Sequence, residues 1–484
     1  EYYRYKYNYA LGEKTGIVGG IDELGPAVTT TDNNSYSHNY GVESYLARIN
    51  YGFKSRYYID ASWRTDGSSR FHPSDRWGHF WSVGASWRIS EEQFMENTRQ
   101  WLDNLTLKVS YGVQGNDNLG TYYAWQGLYD YTWPNATDAG AFVDKLENRK
   151  VTWEKNGNLN AGIEATMFGG RLGVSVEYYN RKTRDMLLNS PLPISTGFTG
   201  FNDNVGSLRN QGLEVSLRGT ILDKRDFRWD ATLMGSFNRN KVLSLTGGQD
   251  VITSGIRVIE VGRPIYTFYL PKTAGVDPAT GKQLYYAYWT QTVNDEGALV
   301  NTRCDEYITD NVAMATLSKY YHESREPKLF GSIGSTFTIL KNIDVSFLTT
   351  YSIGGWVYDG LYNGSMYVQY AGNNWHKNAK RRWQKPGDKT DVPMLEVGGS
   401  YATASNSLID ASYFAIKNIT VGYTLPKRWL KKIDIESLRI YATLDNIAMF
   451  NHMDGMDPQY NFTGSVAYSY TPSRVIAFGI DLNF

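Results

Sequence analysis

Asn158-Leu159-Asn160-Ala161-Gly162-Ile163-Glu164-Ala165-Thr166-Met167-Phe168-Gly169-Gly170-Arg171-Leu172-Gly173-Val174-Ser175-Val176-Glu177-Tyr178 reads as two β-strands joined by a tight turn. Ahead of the glycine pair, Leu159, Ala161, Ile163, Ala165 and Met167 alternate with Asn158, Asn160, Gly162, Glu164 and Thr166. Beyond it, Leu172, Val174, Val176 and Tyr178 alternate with Arg171, Gly173, Ser175 and Glu177. A period of two sends successive side chains to opposite faces of a pleated strand, so this hairpin has one apolar and one wet face. Gly169-Gly170 tolerates the positive φ angles of a short hairpin turn.

The pattern spreads in both directions. Leu213, Val215 and Leu217 alternate with Glu214, Ser216 and Arg218; after a turn at Asp223 to Asp226, Trp229, Ala231 and Leu233 alternate with Arg228, Asp230 and Thr232. Marking every such run predicts about 14 strands, near residues 1–9, 43–53, 56–66, 79–89, 104–114, 157–168, 171–185, 207–221, 227–241, 330–340, 343–353, 412–425, 437–449 and 474–484. Every second connection is short, as at Lys54-Ser55, Gly169-Gly170, Asp223 to Asp226 and Lys341-Asn342. The alternate ones are long, above all 242–329 and 354–411. Outer-membrane barrels have short periplasmic turns and long external loops, and a soluble sandwich has no reason to put all its long loops at one end. The expected fold is therefore all-β, a transmembrane antiparallel barrel with 242–329 and 354–411 as external loops.

Composition agrees. Of 484 residues 15% are aromatic, with 38 Tyr and 14 Trp, and there are 47 Gly, a mixture that suits pleated surfaces and turns. No apolar run approaches the roughly 20 residues a membrane helix needs, whereas a barrel strand needs about 10 with every second one facing lipid. Lys+Arg and Asp+Glu both number 49, which gives no electrostatic reason to expect nucleic acid. Cys304 is single and reads as a lone loop thiol. His38, His72, His79, His322, His376 and His452 are assigned to loops without ligand spacing, so neither metal nor cofactor is expected. No GxSxG, HExxH or P-loop pattern occurs, and an enzyme is not expected. Asn202-Asp203-Asn204 lacks the spaced carboxylates of a calcium loop. Asp66-Gly67-Ser68-Ser69 and Asp277-Pro278-Ala279-Thr280-Gly281 read as turns. Two looser connections on the short-turn side, 90–103 and 426–436, include Trp101, Trp429 and Lys431-Lys432, and suit short helical segments or interfacial anchors.

The last strand sets Ile476, Phe478, Ile480, Leu482 and Phe484 against Ala477, Gly479, Asp481 and Asn483. A terminal aromatic on such a strand resembles the signal read by barrel-insertion machinery, and Phe478, Ile480, Leu482 and Phe484 are assigned to it. The chain opens in mid-pattern, with Tyr3, Tyr5, Tyr7 and Tyr9 alternating with Arg4, Lys6 and Asn8, and is expected to be a fragment.

Longer segments recur in order: Arg64-Thr65-Asp66-Gly67-Ser68-Ser69-Arg70-Phe71, Ser110-Tyr111-Gly112-Val113-Gln114-Gly115-Asn116, Gly275-Val276-Asp277-Pro278, Trp383-Gln384-Lys385-Pro386-Gly387-Asp388, Lys417-Asn418-Ile419-Thr420-Val421-Gly422-Tyr423 and Asp457-Pro458. Together they resemble the SusC/RagA family of TonB-dependent transporters. The resemblance implies a barrel of about 22 strands filled by a plug, of which 1–484 would be the C-terminal part. It further implies a SusD-like surface lipoprotein as lid, energy supplied through TonB, and the outer membrane of a Gram-negative, Bacteroidota-type cell. The implied function is active import of an oligomeric nutrient, glycan or peptide. Two other readings stay open here: a passive pore closed by about 14 strands, and a soluble carbohydrate-binding β-sandwich array. Flat aromatic faces in the long loops are the candidate substrate contacts: Tyr122, Tyr123, Trp125, Trp133, Trp289, Trp375 and Trp383.

Overall fold

The structure is a computed structural model that describes all residues except 18, 132, 134, 135, 139, 246–249, 367–371, 373, 397–398, 431–434, 454, 460–462 and 467–469. Its frame is one antiparallel sheet of 14 strands. We number them β1 (Tyr2–Thr15), β2 (Thr29–Phe53), β3 (Tyr57–Ser68), β4 (Trp77–Arg88), β5 (Leu102–Asn116), β6 (Glu154–Met167), β7 (Leu172–Arg184), β8 (Ser207–Lys224), β9 (Phe227–Ser244), β10 (Leu329–Ile339), β11 (Ile343–Ile353), β12 (Tyr413–Thr424), β13 (Ser437–Asn451) and β14 (Val475–Asn483). Each pairs with its predecessor and successor in this series, so the sheet is a continuous meander. Every predicted strand is present. A single sheet of this size rules out the sandwich array. Among the described residues β1 pairs only with β2 and β14 only with β13, so these strands do not close into a ring of 14.

Register carries the two faces unbroken from strand to strand. Ser62 pairs with Ser82, Ser82 with Gly112, Gly112 with Asn158 and Asn158 with Arg181, all on the polar face. One residue over, Ala161 pairs with Tyr178, Ile163 with Val176 and Leu217 with Leu233 on the apolar face. That face leaves Ile49, Ile163, Leu233 and Phe478 exposed at 71, 50, 43 and 82%, a continuous apolar surface that water would not cover favourably and lipid would. No described helix is long and apolar enough to cross a membrane. The polar face instead lines hollows of about 550 and 540 Å³, floored by Gly84, Ser110, Gly112 and Gly162.

The short turns lie at one end. Lys54 and Ser55 at φ 51° and 55°, and Leu340 and Lys341 at 51° and 65°, each form a two-residue positive-φ turn, so the second turn sits one residue earlier than Lys341-Asn342. The looser connections at this end contain helical turns, Gln93–Thr98 and Lys427–Leu430; Trp101 packs on Phe168 and Trp429 is half exposed, while Lys431-Lys432 lies outside the described residues.

The long connections are folded structures in their own right. Segment 245–328 contains a four-stranded sheet, a three-stranded sheet and the helix Val312–Leu317, which Asn311 caps by accepting from the backbone N–H of Ala313 and Met314. Segment 354–412 contributes Trp356–Asp359 and Leu408–Asp410 to a further small sheet that also takes in Ser465–Val466. Three assignments change accordingly. His38, His79 and His322 stand in strands, not loops, and Cys304 lies partly buried on the strand Leu299–Thr309. Asp66-Gly67-Ser68 ends β3 and is buried there, whereas Asp277 to Gly281 is the expected turn.

Candidate functional site

The hairpin of β1 and β2 reverses the polarity of the sheet. From Ser44 to Phe53 the apolar face carries Tyr45, Ile49, Tyr51 and Phe53, and the opposite face carries Ser44, Arg48 and Asn50 with Leu46 the exception. Above Val42-Glu43 the order inverts. The face continuous with Ser44 and Asn50 now carries Tyr40, His38 and Tyr36, which pair across to Tyr5, Tyr7 and Tyr9; its reverse carries Asn39, Ser37, Arg4, Lys6 and Asn8. A strand whose outer side turns polar has left the apolar belt. The aromatic side is then on the same surface as the barrel's polar interior.

The rings form a connected stripe. Tyr9 stacks on Tyr36 at 4.8 Å, Tyr36 meets His38 at 5.0 Å, and Tyr7 stacks on His38 at 6.3 Å. The loop after β5 folds onto it, placing Tyr122 at 5.4 Å from His38, 5.6 Å from Tyr40 and 5.8 Å from Tyr5. Tyr123 lies 6.1 Å from His38 and its hydroxyl accepts from the Asn39 N–H. Tyr3, Tyr7 and Tyr36 remain 52, 38 and 44% exposed, so flat ring faces are open for contact.

An ionic knot fixes the lower end. Asp117 accepts from Arg70 Nη1 at 3.0 Å, from the Tyr40 hydroxyl at 2.8 Å and from Ser68 Oγ at 2.6 Å. The Arg70 guanidinium lies 4.6 Å from the Tyr40 ring and 5.1 Å from Tyr122, within the range of cation–π attraction. Burial, and the hydrogen bond to Asp117, push the Tyr40 phenol well above its ordinary pKa. Shielded from solvent, Arg70 Nε and His38 Nδ1 have no hydrogen-bond partner among the described residues. Such atoms are uncommon in native proteins, and here both stand within the aromatic stripe.

The seven loop aromatics fare differently. Tyr122 and Tyr123 join the stripe. Trp125 packs against the cluster of Phe71, Phe80, Val151 and Trp153 and meets His72 edge-on at 5.0 Å. Trp133 stands 66% exposed beside Phe142, and Trp289 is partly buried within a strand of the 245–328 insertion. Trp375 lies with Met366, Ala379 and Tyr401 around a space of only about 10 Å³. Trp383 is occupied in joining two loops, its indole N–H donating to the Pro278 carbonyl at 2.9 Å. The stripe residues Tyr3 to Tyr9 and Tyr36 to Tyr40 are absent from that set. Their period-two tyrosines were visible, but residues 29–42 have a polar reverse side and do not read as a lipid-facing strand. Phe478, Ile480, Leu482 and Phe484 project from the apolar face of β14 and just beyond it, 82, 67, 39 and 87% exposed. No group of three or more potential metal ligands occurs among the described residues, and Asp203 and Asn204 are engaged by Asn148 and Thr152.

Residues 1–447 match the family profile described as TonB dependent receptor-like, beta-barrel. TonB-dependent receptor P26 of Formosa agariphila is 28% identical over 490 residues, covering 94% of this chain and 47% of that protein. TonB-dependent receptor SusC of Bacteroides thetaiotaomicron is 28% identical over 468 residues, covering 94% and 45%. The RagAB peptide transporter structure superposes with a TM-score of 0.85 at 28% identity, over 100% of this chain and 52% of that one. The chain thus spans about half the length of the curated relatives it matches.

Proposed function

The chain belongs to the TonB-dependent receptor-like β-barrel family, in its SusC/RagA type, and from that premise we propose that it forms part of the wall of an outer-membrane importer of oligomeric nutrients. The observation that carries the reading is the stripe from Tyr3 to Tyr9 and Tyr36 to Tyr40, set on the polar face and beyond the apolar belt. Tyrosine supplies a rigid apolar ring with a hydroxyl at its rim, so adjacent rings offer stacking surface and hydrogen bonds at the repeat distance of a strand. An extended glycan or peptide can engage several such rings at once. In this reading the long connections face the exterior, a SusD-like lipoprotein closes over them, and TonB supplies the energy through a plug inside the completed barrel. The last strand, with Phe478, Ile480, Leu482 and Phe484 toward lipid, serves as the barrel-insertion signal.

The test is uptake of labelled oligosaccharides and oligopeptides by cells with the full-length gene deleted and then restored. At least one class should be lost and recovered; undiminished uptake of every candidate would sink the reading. Co-purification from the restored cells should bring down a surface lipoprotein.

A further inference from the structure

A cavity of about 380 Å³ lies where the 245–328 insertion meets the polar face of the sheet. Its wall side is built from Asn210, Asn238, Asn240 and Phe330, which register sets on the same polar face as Tyr179. The insertion closes the other side with Pro264 to Tyr266 and Arg325 to Pro327.

The polar groups form a directed chain. The Tyr179 hydroxyl donates to Asn238 Oδ1 at 2.7 Å, and Asn238 Nδ2 donates to Glu326 Oε1. The Asn240 backbone N–H donates to Glu326 Oε2 at 3.1 Å, while its side chain accepts from the Ile265 N–H at 2.8 Å and donates to Asn210 Oδ1 at 2.7 Å. Gly212 makes room for this arrangement, since a Cβ there would sit 2.5 Å from the Tyr179 hydroxyl. Glu326 is therefore held in place by two neutral donors, where an ionised carboxylate can accept about four hydrogen bonds.

What Glu326 lacks is a paired cation. Among the described residues no basic side chain hydrogen-bonds to it: Arg239 stands on the opposite, apolar face of the sheet, and Arg325, which also lines the cavity, donates from its guanidinium to the Pro458 carbonyl at 2.8 Å. Burial raises the Glu326 carboxyl above its ordinary pKa, as expected for a charge taken out of water without a counter-ion. A ligand ammonium would restore that balance, and the rings of Phe330 and Tyr266 beside it suit a cation flanked by alkyl or sugar carbons.

We propose that this cavity is a binding subsite for a primary ammonium group on the imported oligomer, with Glu326 as its counter-ion and the Tyr179–Asn238–Asn240 chain holding that carboxylate in place. The inference rests on the import reading and narrows its substrate to amine-bearing oligomers. The ammonium could come from a peptide or from an amino sugar.

The experiment measures binding to the intact protein in detergent by calorimetry with two matched pairs of probes. One is a blocked tetrapeptide with a central lysine against the same peptide with norleucine; the other is a glucosamine tetrasaccharide against its N-acetylated form. In at least one pair the ammonium member should bind ten-fold or more tightly, which also identifies the source. Glu326→Gln, close in shape, should erase the preference, and Phe330→Leu, which leaves the carboxylate untouched, should reduce it several-fold. No ammonium preference in either pair, or a preference that survives Glu326→Gln, overturns the proposal. Uptake by restored cells is scored separately, so loss of this subsite leaves the import reading standing.

Discussion

Trp383 donates its indole N–H to the main-chain carbonyl of Pro278, 105 residues earlier, and lays its ring over Gly281 in the turn that follows. Gly281 has φ +76°, and its N–H closes the turn onto the Asp277 carbonyl at 2.8 Å. The main chain adds Met394 N–H to Gly281 O and Gly387 N–H to Pro278 O. Two long connections, separate in sequence, are thereby clamped into one layer.

Trp383→Ala is expected to release this clamp without unfolding the barrel. Hydrogen exchange at the Gly281 amide should accelerate by roughly 10- to 100-fold, equivalent to about 1.4–2.8 kcal/mol of local stability. Unchanged exchange would show that the backbone bonds hold the layer by themselves.

Tyr40 should resist ionisation. Its folded pKa is raised above the ordinary 10.0 by burial first and by the hydrogen bond to Asp117 second. A raised value means that the neutral phenol is favoured in the folded state. The contribution is intact below about pH 10 and is lost as pH climbs through the folded value. Alkaline absorbance titration should show a group of late-ionising phenols, with Tyr320, Tyr285 and Tyr288 among them, whose number falls by one in Tyr40→Phe.

Replacing Tyr7 and Tyr36 together by alanine should weaken oligomer binding roughly ten-fold, because each aromatic contact is worth about 0.5–1.5 kcal/mol beyond area burial. The paired phenylalanine variant keeps the rings and should retain most of the affinity if stacking dominates. Calorimetry on the intact protein separates the two outcomes.

Leu217→Arg, on the apolar face, should reduce the folded, membrane-inserted fraction by an amount corresponding to about 2–4 kcal/mol if it meets lipid at mid-depth. Ser216→Arg, one residue away on the polar face, should be far milder. Heat-modifiable mobility of outer-membrane extracts reads both. Equal effects would contradict the assignment of the faces.

Most of the wall was legible in the sequence, since alternation over 10 or so residues leaves little doubt about where a strand lies or which side is wet. The outer part of the first hairpin was legible in one strand only. Residues 1–9 read as a strand, but on its partner Ser37 and Asn39 replace the lipid-facing apolar residues, so residues 29–42 give no lipid-facing alternation and the reading resumes near Glu43. The insertion sheets escaped for a different reason. Strands of 4 or 5 residues such as Val251–Ser254 and Thr267–Pro271 are too short for periodicity to declare itself. The 11-residue Gln283–Val293 has apolar residues on both faces, Tyr285, Ala287 and Trp289 on one and Leu284, Tyr286 and Tyr288 on the other, so no alternation shows. The stripe depends on Tyr122 folding back over some eighty residues of chain, which a linear pattern does not reveal. Glu326 carries no local signature at all, because its setting is made by Asn238 and Asn240 from a strand far upstream.

Strand β2 runs as one element from Thr29 to Phe53, roughly 80 Å at about 3.3 Å per residue, from the tip of the aromatic hairpin to the turn at Lys54-Ser55. Mechanically it is a mast stepped into the hull. Bending it would break ladder bonds to β1 above and β3 below, so the tyrosines hold a fixed spacing whether or not anything rests on them. Under the import reading, the rings would present an arriving oligomer with a spacing set by the wall and not by the guest.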